Sequence, residues 1–395
     1  MHFPINKKYV VIANDFCVFG LSILNSIIVS RYYGLDFMGL YVYYFVFVGP
    51  LISLARFSID KKILVLLNDK HKTALHRLAY WSSFVILGIG FLIVMIIGNN
   101  NTEKLFLIFM LFLRLAQVNL KYLVNFQISV EGYKRVARLN ILIYGFPFIL
   151  LLVCFYSGVE VQSLYFSYIA YLVIIVILLF HIEVPYGNLK TGINMSEHFS
   201  LTAADFLVLL KTSIPRYFFD ILFGREILGL IAICQQIAQL SDIVPGSLIK
   251  ASSGDFKRLS RRSNRIGLKH MRNKIFGQLV LFLFVFYLVI CSLSENIFKI
   301  IYAIDQYPSI MLLLLLLIAR GMSNLISVDK FILNLFNTSS NIILALILNV
   351  LFLITYYSLM FVLGVHEISS LLLPILLSEI VLLYTYRRKA NMALR

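Results

Sequence analysis

Apolar stretches of about 20 residues, each long enough to cross the hydrocarbon layer of a bilayer as a helix, alternate along this chain with short polar or charged segments. Windows of that length predict about twelve transmembrane helices. The approximate spans are 9–30, 38–60, 78–98, 105–127, 139–157, 163–182, 206–224, 227–249, 274–294, 309–328, 342–363 and 369–386. Lys211, Pro215 and Arg216 interrupt the seventh, and only a short turn separates it from the eighth.

Composition excludes a soluble domain. Of 395 residues, 60% are hydrophobic and 14% charged, with a mean hydropathy of +0.89. That much apolar surface cannot face water. The opening MHFPINKKYV runs straight into a full-length apolar span without a cleavage pattern, so the first span is expected to stay attached. With the N-terminus inside, predicted cytoplasmic segments hold 25 Lys/Arg and predicted outer segments hold 4: Arg31, Lys104, Arg225 and Lys299. Basic residues accumulate on the cytoplasmic side of short loops, so both termini are predicted to be cytoplasmic. The net charge of +16 is thus mostly topology. The basic stretch from Lys250 to Lys274 reads as an amphipathic segment beside anionic lipid rather than a nucleic-acid site. Cys17, Cys154, Cys234 and Cys291 each sit alone in an apolar span, without paired spacing.

The chain also repeats. At an offset of 190, Asp15-Phe16 aligns with Asp205-Phe206, Gly34 with Gly224, Asp36 with Glu226, Gly39 with Gly229 and Leu40 with Leu230. Both glycine pairs fall between a first and a second span on the outer side. Arg114 and Arg320 both lie late in the fourth span of a half. Two halves of six helices insert in the same orientation, which gives parallel repeats about an axis along the membrane normal. The expected architecture is an all-α integral membrane protein of two six-helix bundles around a central cavity. An N-terminal lobe (1–182) and a C-terminal lobe (206–395) are joined by a cytoplasmic linker (183–205).

Charges inside a span cost about 2.5 to 3.5 kcal/mol on insertion scales and face a bundle interior or a watery cavity. In the fourth span Arg114, Gln117, Lys121 and Asn125 share one helical face. The tenth span offers Arg320, Ser323, Asn324 and Ser327, the first Asp15, Ser22 and Ser26, and the eighth Gln235, Gln239 and Asp242. The seventh carries Lys211, Pro215, Arg216 and Asp220; its proline is a candidate hinge, and Arg216 and Asp220 are placed to pair. Arg56 lies near the inner end of the second span and Glu379 deep in the twelfth. Arg56, Arg114, Lys121, Lys211, Arg216 and Arg320 are the candidate substrate-binding residues. Asp15, Asp220 and Glu379 are candidates for ion coupling, or they balance the arginines. Six cations against three acids suit an anionic cargo such as a diphosphate, because guanidinium gives planar bidentate contacts.

Several stretches together resemble the bacterial polysaccharide flippases, the O-antigen and exopolysaccharide translocases of the multidrug, oligosaccharidyl-lipid and polysaccharide exporter superfamily. They are GLDFMGLYVYYFVFVGPLISL, TSIPRYFFDILFGREILGLIAI, SLIKASSGDFKRL and NLFNTSSN. The resemblance covers nearly the whole chain and is one of pattern. It implies movement of an undecaprenyl-diphosphate-linked oligosaccharide, a lipopolysaccharide O-antigen or exopolysaccharide repeat unit, from the inner to the outer leaflet of the plasma membrane by alternating access. Membrane lipids, and the polymerase and glycosyltransferases of the same pathway, are the partners it implies.

A multidrug or other small-solute exporter would share the fold but favour an acid-dominated cavity. A membrane-embedded polymerase or ligase would be expected to carry a large outer loop, and the longest predicted outer loop is short, around Glu295 to Pro308. The seven histidines show no metal spacing, and no P-loop is present. Neither an enzymatic activity nor a cofactor or metal is expected.

Overall fold

The computed structural model describes residues 7–56, 82, 85–95, 104, 107–108, 111–112, 115, 145, 149, 152–153, 156–158, 195–304, 310–336, 342–364 and 367–394. The described regular structure is all helical, as the apolar windows predict: α1 (Lys7–Arg56), α2 (Val85–Met95), α3 (Met195–Phe223), α4 (Arg225–Gln239), α5 (Ile243–Arg261), α6 (Arg265–Asn296), α7 (Ile310–Leu335), α8 (Ile343–Val362) and α9 (Ile368–Ala393). A 3-10 turn, Leu240–Asp242, joins α4 to α5, and a π-helical turn, Ile297–Ile301, extends α6. Five described stretches are long and apolar enough to cross a membrane: Arg225–Ile249, Arg265–Ile301, Ile310–Leu335, Ile343–Val362 and Ile368–Ala393. The chain is a multi-pass membrane protein. Spans 105–127, 139–157 and 163–182 fall largely outside the described residues, and so do Arg114 and Lys121.

The helices outrun the predicted spans. α6 begins at Arg265 and α7 ends at Leu335, so Arg272 and Asp329, which the hydropathy windows leave in loops, are helical. Hydropathy reports where lipid stops, whereas backbone hydrogen bonding continues into the charged turns. The basic stretch 250–274 is therefore two helix ends and a tight connection. Ser263 turns with φ 52°, and the Asn264 side chain accepts a hydrogen bond from Gly267 N at 2.8 Å, capping α6. Ser263 is exposed there. Cysteine introduced at Ser263 is expected to react with a permeant thiol reagent and to escape an impermeant one in intact cells. Reaction with the impermeant reagent would invert the sidedness derived from the Lys/Arg bias.

Contacts divide the chain into two units, 1–40 with 214–395, and 41–213. The predicted linker 183–205 is described only from residue 195, where it forms the start of α3. In the 41–213 unit, Leu111 closes over Gly90 on α2, and Ile86, Val94, Leu107 and Leu115 are buried. In the other unit α7 is central: it packs against α4, α5, α6 and α9. Phe218 of α3 stacks on Tyr357 of α8 with ring centroids 5.3 Å apart, and the Tyr357 hydroxyl donates to Leu371 O at 2.6 Å.

The 190-residue repeat has a geometric counterpart. α1 is broken at Gly34 (φ 80°, ψ 175°), and α3 is separated from α4 at Gly224 (φ 81°, ψ 176°). That region of backbone conformation is open essentially to glycine alone, so each half turns its first helix into its second with the same residue in the same conformation. Five residues on, a Cβ on Gly39 would overlap the Arg225 carbonyl oxygen, and a Cβ on Gly229 would overlap the Leu35 carbonyl oxygen. Residues 35 and 225 are themselves 190 apart. The two contacts are thus equivalent under exchange of the halves, an isologous crossing about a local two-fold. Small residues let the backbones approach where apolar side chains gain nothing over lipid.

The same end of this unit gathers the other predicted outer segment. Arg31 donates from Nε to Ile301 O at 2.7 Å and from its second nitrogen to Ile300 O, satisfying carbonyls of the π-helical turn. Tyr302 meets Ser26 of α1. Phe298, Tyr302 and Ile304 are buried while Glu295, Lys299 and Ile300 stay exposed, so three side chains anchor the described part of the predicted outer loop. At the opposite ends of the helices, Arg272 of α6 lies 3.7 Å from Asp329 of α7, and Arg387 of α9 lies 3.5 Å from the same carboxylate. Predicted outer residues meet one another, and predicted inner ends do the same.

Candidate functional site

Arg320 lies ten residues into α7, about 15 Å along its axis, near half the thickness of a hydrocarbon core. A guanidinium there demands partners. It finds them on the adjacent break: Nε donates to Asp242 Oδ1 at 2.7 Å and the second nitrogen to Oδ2, a bidentate pair. Asp242 closes the 3-10 turn Leu240–Asp242, where the helical path of the predicted eighth span is interrupted. Beside it Asn324, one turn beyond Arg320, donates to Ser241 Oγ at 2.8 Å, and Ser241 donates to Ala238 O at 2.7 Å. The polar face read from the tenth span thus meets the polar face read from the eighth.

Arg216 of α3 approaches the same region. Its Nε and one terminal nitrogen donate to Gln235 Oε1 at 3.1 and 2.8 Å. Gln235 and Asp242 are seven residues apart and share a face of the α4 path. Arg216 and Arg320 interact electrostatically, and so do Arg320 and Glu379 of α9. Glu379 is buried beside Ser378, whose hydroxyl donates to Asn349 Oδ1 at 2.7 Å. Tyr287 of α6 completes the surroundings: its hydroxyl packs on Gly321, where a Cβ would overlap it, and it interacts with both Asp242 and Arg320.

Three of the sequence-derived candidates, Arg216, Arg320 and Glu379, therefore converge. Among the described residues Asp220 makes no contact with that cluster, and it does not pair with Arg216 as the four-residue spacing suggested. Arg216 turns to Gln235 instead, and the charge acting on Asp220 is Arg225. Lys211 is buried within the 41–213 unit. Pro215 is buried in α3, which continues through it, and Pro215 cannot donate to the Lys211 carbonyl. The helical backbone of α1 includes Asp15 and Arg56, whose side chains lie outside the described residues, as do Arg114 and Lys121 entirely.

The excess of cations in the sequence is not what the described cluster holds. Two arginines stand with two acids, and one of those acids, Asp242, reads from hydropathy as lying toward the end of its span. Its signal was the i, i+4, i+7 spacing of Gln235, Gln239 and Asp242. The arrangement can hold a negatively charged group at two guanidiniums, provided that Asp242 yields one of them.

No family model matches the chain, and no curated protein matches it. Solved structures do. An inward-facing multidrug resistance MATE family transporter of the MOP superfamily superposes with a TM-score of 0.60 at 10% identity, covering 98% of this chain and 99% of that one. The fold is shared with MOP-superfamily transporters. The lipid II flippase MurJ in an inward closed conformation gives a TM-score of 0.63 at 12% identity over 97% of this chain and 87% of its own. A MOP superfamily transporter from Pyrococcus furiosus, described by the reverse polarity of its binding pocket, gives 0.57 at 11% identity over 98% and 96%. These likenesses span nearly the whole chain, and they bear out an all-α membrane fold built on the duplicated arrangement that the 190-residue repeat predicts.

Proposed function

We propose that this chain is a transporter that flips an undecaprenyl-diphosphate-linked oligosaccharide from the inner to the outer leaflet of a bacterial plasma membrane by alternating access of two six-helix lobes. The observation that carries the reading is the pair of arginines, Arg216 and Arg320, held at depth in the lipid-spanning part of a fold shared with a lipid II flippase. Guanidiniums kept inside the membrane at a cost of several kcal/mol need a compensating role. Bidentate contact with a diphosphate supplies one. The cargo leaves chemically unchanged, so the reading requires no nucleophile. The polymerase and glycosyltransferases that extend and build the repeat unit would be its neighbours in the pathway.

The presence of Asp242 and Glu379 among the arginines favours a second reading, a small-solute or multidrug exporter of the same superfamily, since acids hold organic cations. A strain lacking the native flippase separates the two. Arg216→Ala is expected to abolish surface polysaccharide at a near-normal protein level, and Arg216→Lys to restore part of it, because a point charge replaces a bidentate fork. Full export by the Arg216→Ala, Arg320→Ala double variant would refute the anionic-cargo reading.

Movement would centre on Pro215. The boundary between the two contact units falls at residues 213 and 214, beside this proline. Pro215→Ala restores a donor to α3 and stiffens it. The variant is expected to reach the membrane in normal amounts, bind cargo, and export it several-fold more slowly. Unchanged export per unit protein would remove Pro215 as a hinge.

A further inference from the structure

Asp242 occupies Arg320 as a cargo's anionic group would: two carboxylate oxygens on two guanidinium nitrogens. Three features set this pair apart from a permanent structural bridge. The carboxylate sits on a 3-10 turn rather than in a continuous helix, so a small rearrangement of Leu240–Asp242 moves it without unwinding α4 or α5. Its surroundings offer it Arg320 from α7 and the Tyr287 hydroxyl from α6, but among the described residues no backbone amide holds it, and as an N-cap of α5 its side chain makes no capping bond. The pair is also only partly closed off: the Arg320 side chain is 35% and the Asp242 side chain 19% exposed, against 2% and 0% for Arg272 and Asp329.

We infer that Asp242 is a built-in competitor for the cargo's anionic head, a residue that sets a minimum charge for any ligand that is to take Arg320. The proposal rests on the reading of Arg320 as an anion site. An intramolecular carboxylate acts at an effective concentration set by the short chain that tethers it. A ligand bringing a single carboxylate exchanges like for like at Arg320 and gains little. A diphosphate brings more charge and more acceptor oxygens, and the neighbouring Arg216, whose hydrogen-bond partner among the described residues is the neutral Gln235, can share the load. Discrimination then comes from a repulsive element as much as from an attractive one: an anion that cannot displace Asp242 stays next to it. Glu379 adds to the same negative background from α9.

The test measures binding of farnesyl diphosphate and of farnesoic acid at pH 8 to the full chain in neutral phosphatidylcholine nanodiscs. The wild type is expected to prefer the diphosphate by on the order of a hundredfold, and Asp242→Asn to cut that preference at least tenfold, chiefly by tightening the carboxylate. Thermal unfolding of each variant confirms that it is folded. Should Asp242→Asn not accumulate, Asp242→Ser removes the same charge with a smaller side chain and is read in the same way. An unchanged preference in a folded variant overturns the inference, and so does absence of binding by either anion to every form. Loss of lipid-linked oligosaccharide export has a separate readout: a chain that shows the charge filter but exports no such cargo fails the proposed function and leaves this inference standing.

Discussion

Valine at Gly39 or at Gly229 is expected to abolish transport, and the two single variants are expected to fail alike. Each new side chain would be driven into a backbone carbonyl, that of Arg225 in one case and Leu35 in the other. A carbonyl cannot swing aside as a long side chain can, so the helices must separate. Overpacking of this kind typically costs about 1–3 kcal/mol, and more where backbone must move. Arg31, which clamps the Ile300 and Ile301 carbonyls, and Ser26, which meets Tyr302, lie on the turns of α1 that lead into this crossing with α4. Gly20→Val is the control: it too lies in α1, and nothing stands within 4 Å of its Cβ position. Export and thermal unfolding of detergent-solubilised protein would be measured for all three. Gly39→Val behaving like Gly20→Val would show that the crossing has no role.

The second large effect is expected at Asp329. Its carboxylate is 0% exposed and faces Arg272, itself 2% exposed, and Arg387, 29% exposed. Asp329→Ala strands the Arg272 guanidinium in a buried setting with Asn273 Oδ1, at 3.1 Å, and no carboxylate. Removing one partner of a buried pair costs about 3–5 kcal/mol. Arg387 loses less, because it also lies over the Phe276 ring at 4.3 Å and reaches Asn273 at 3.2 Å. The unfolding temperature of Asp329→Ala should fall steeply, and Arg272→Met combined with Asp329→Leu should recover much of it, since apolar side chains of similar volume often replace a buried pair without loss. A single variant as stable as the wild type would mean that these charges are hydrated in the native protein.

Much of the fold was legible in the order of the residues, because in lipid the constraints are local. A helix must satisfy its own backbone hydrogen bonds, so apolar length alone announces it, and Lys and Arg mark the side on which each helix ends. Gly34 and Gly224 could be read as breaks, and the offset of 190 as a duplication, because glycine is the residue that such a backbone turn demands. Arg216, Arg320 and Glu379 could be singled out because a charge in an apolar window is conspicuous. Which charges face one another is a different matter. Arg216 had Asp220 one turn away on its own helix and took Gln235 from the next. Arg320 was joined by Asp242, a residue that hydropathy had set near a span's edge. Asp329 and Arg272, the most completely buried ion pair among the described residues, lay outside the spans altogether. Sequence determined where the described helices lie and where glycine breaks them in each half, since each follows from residues within one helix or from their distribution along the chain. Only the tertiary structure decided how the charges are paired, because a guanidinium in low dielectric takes whichever acceptor the packing of a second helix brings within about 3 Å.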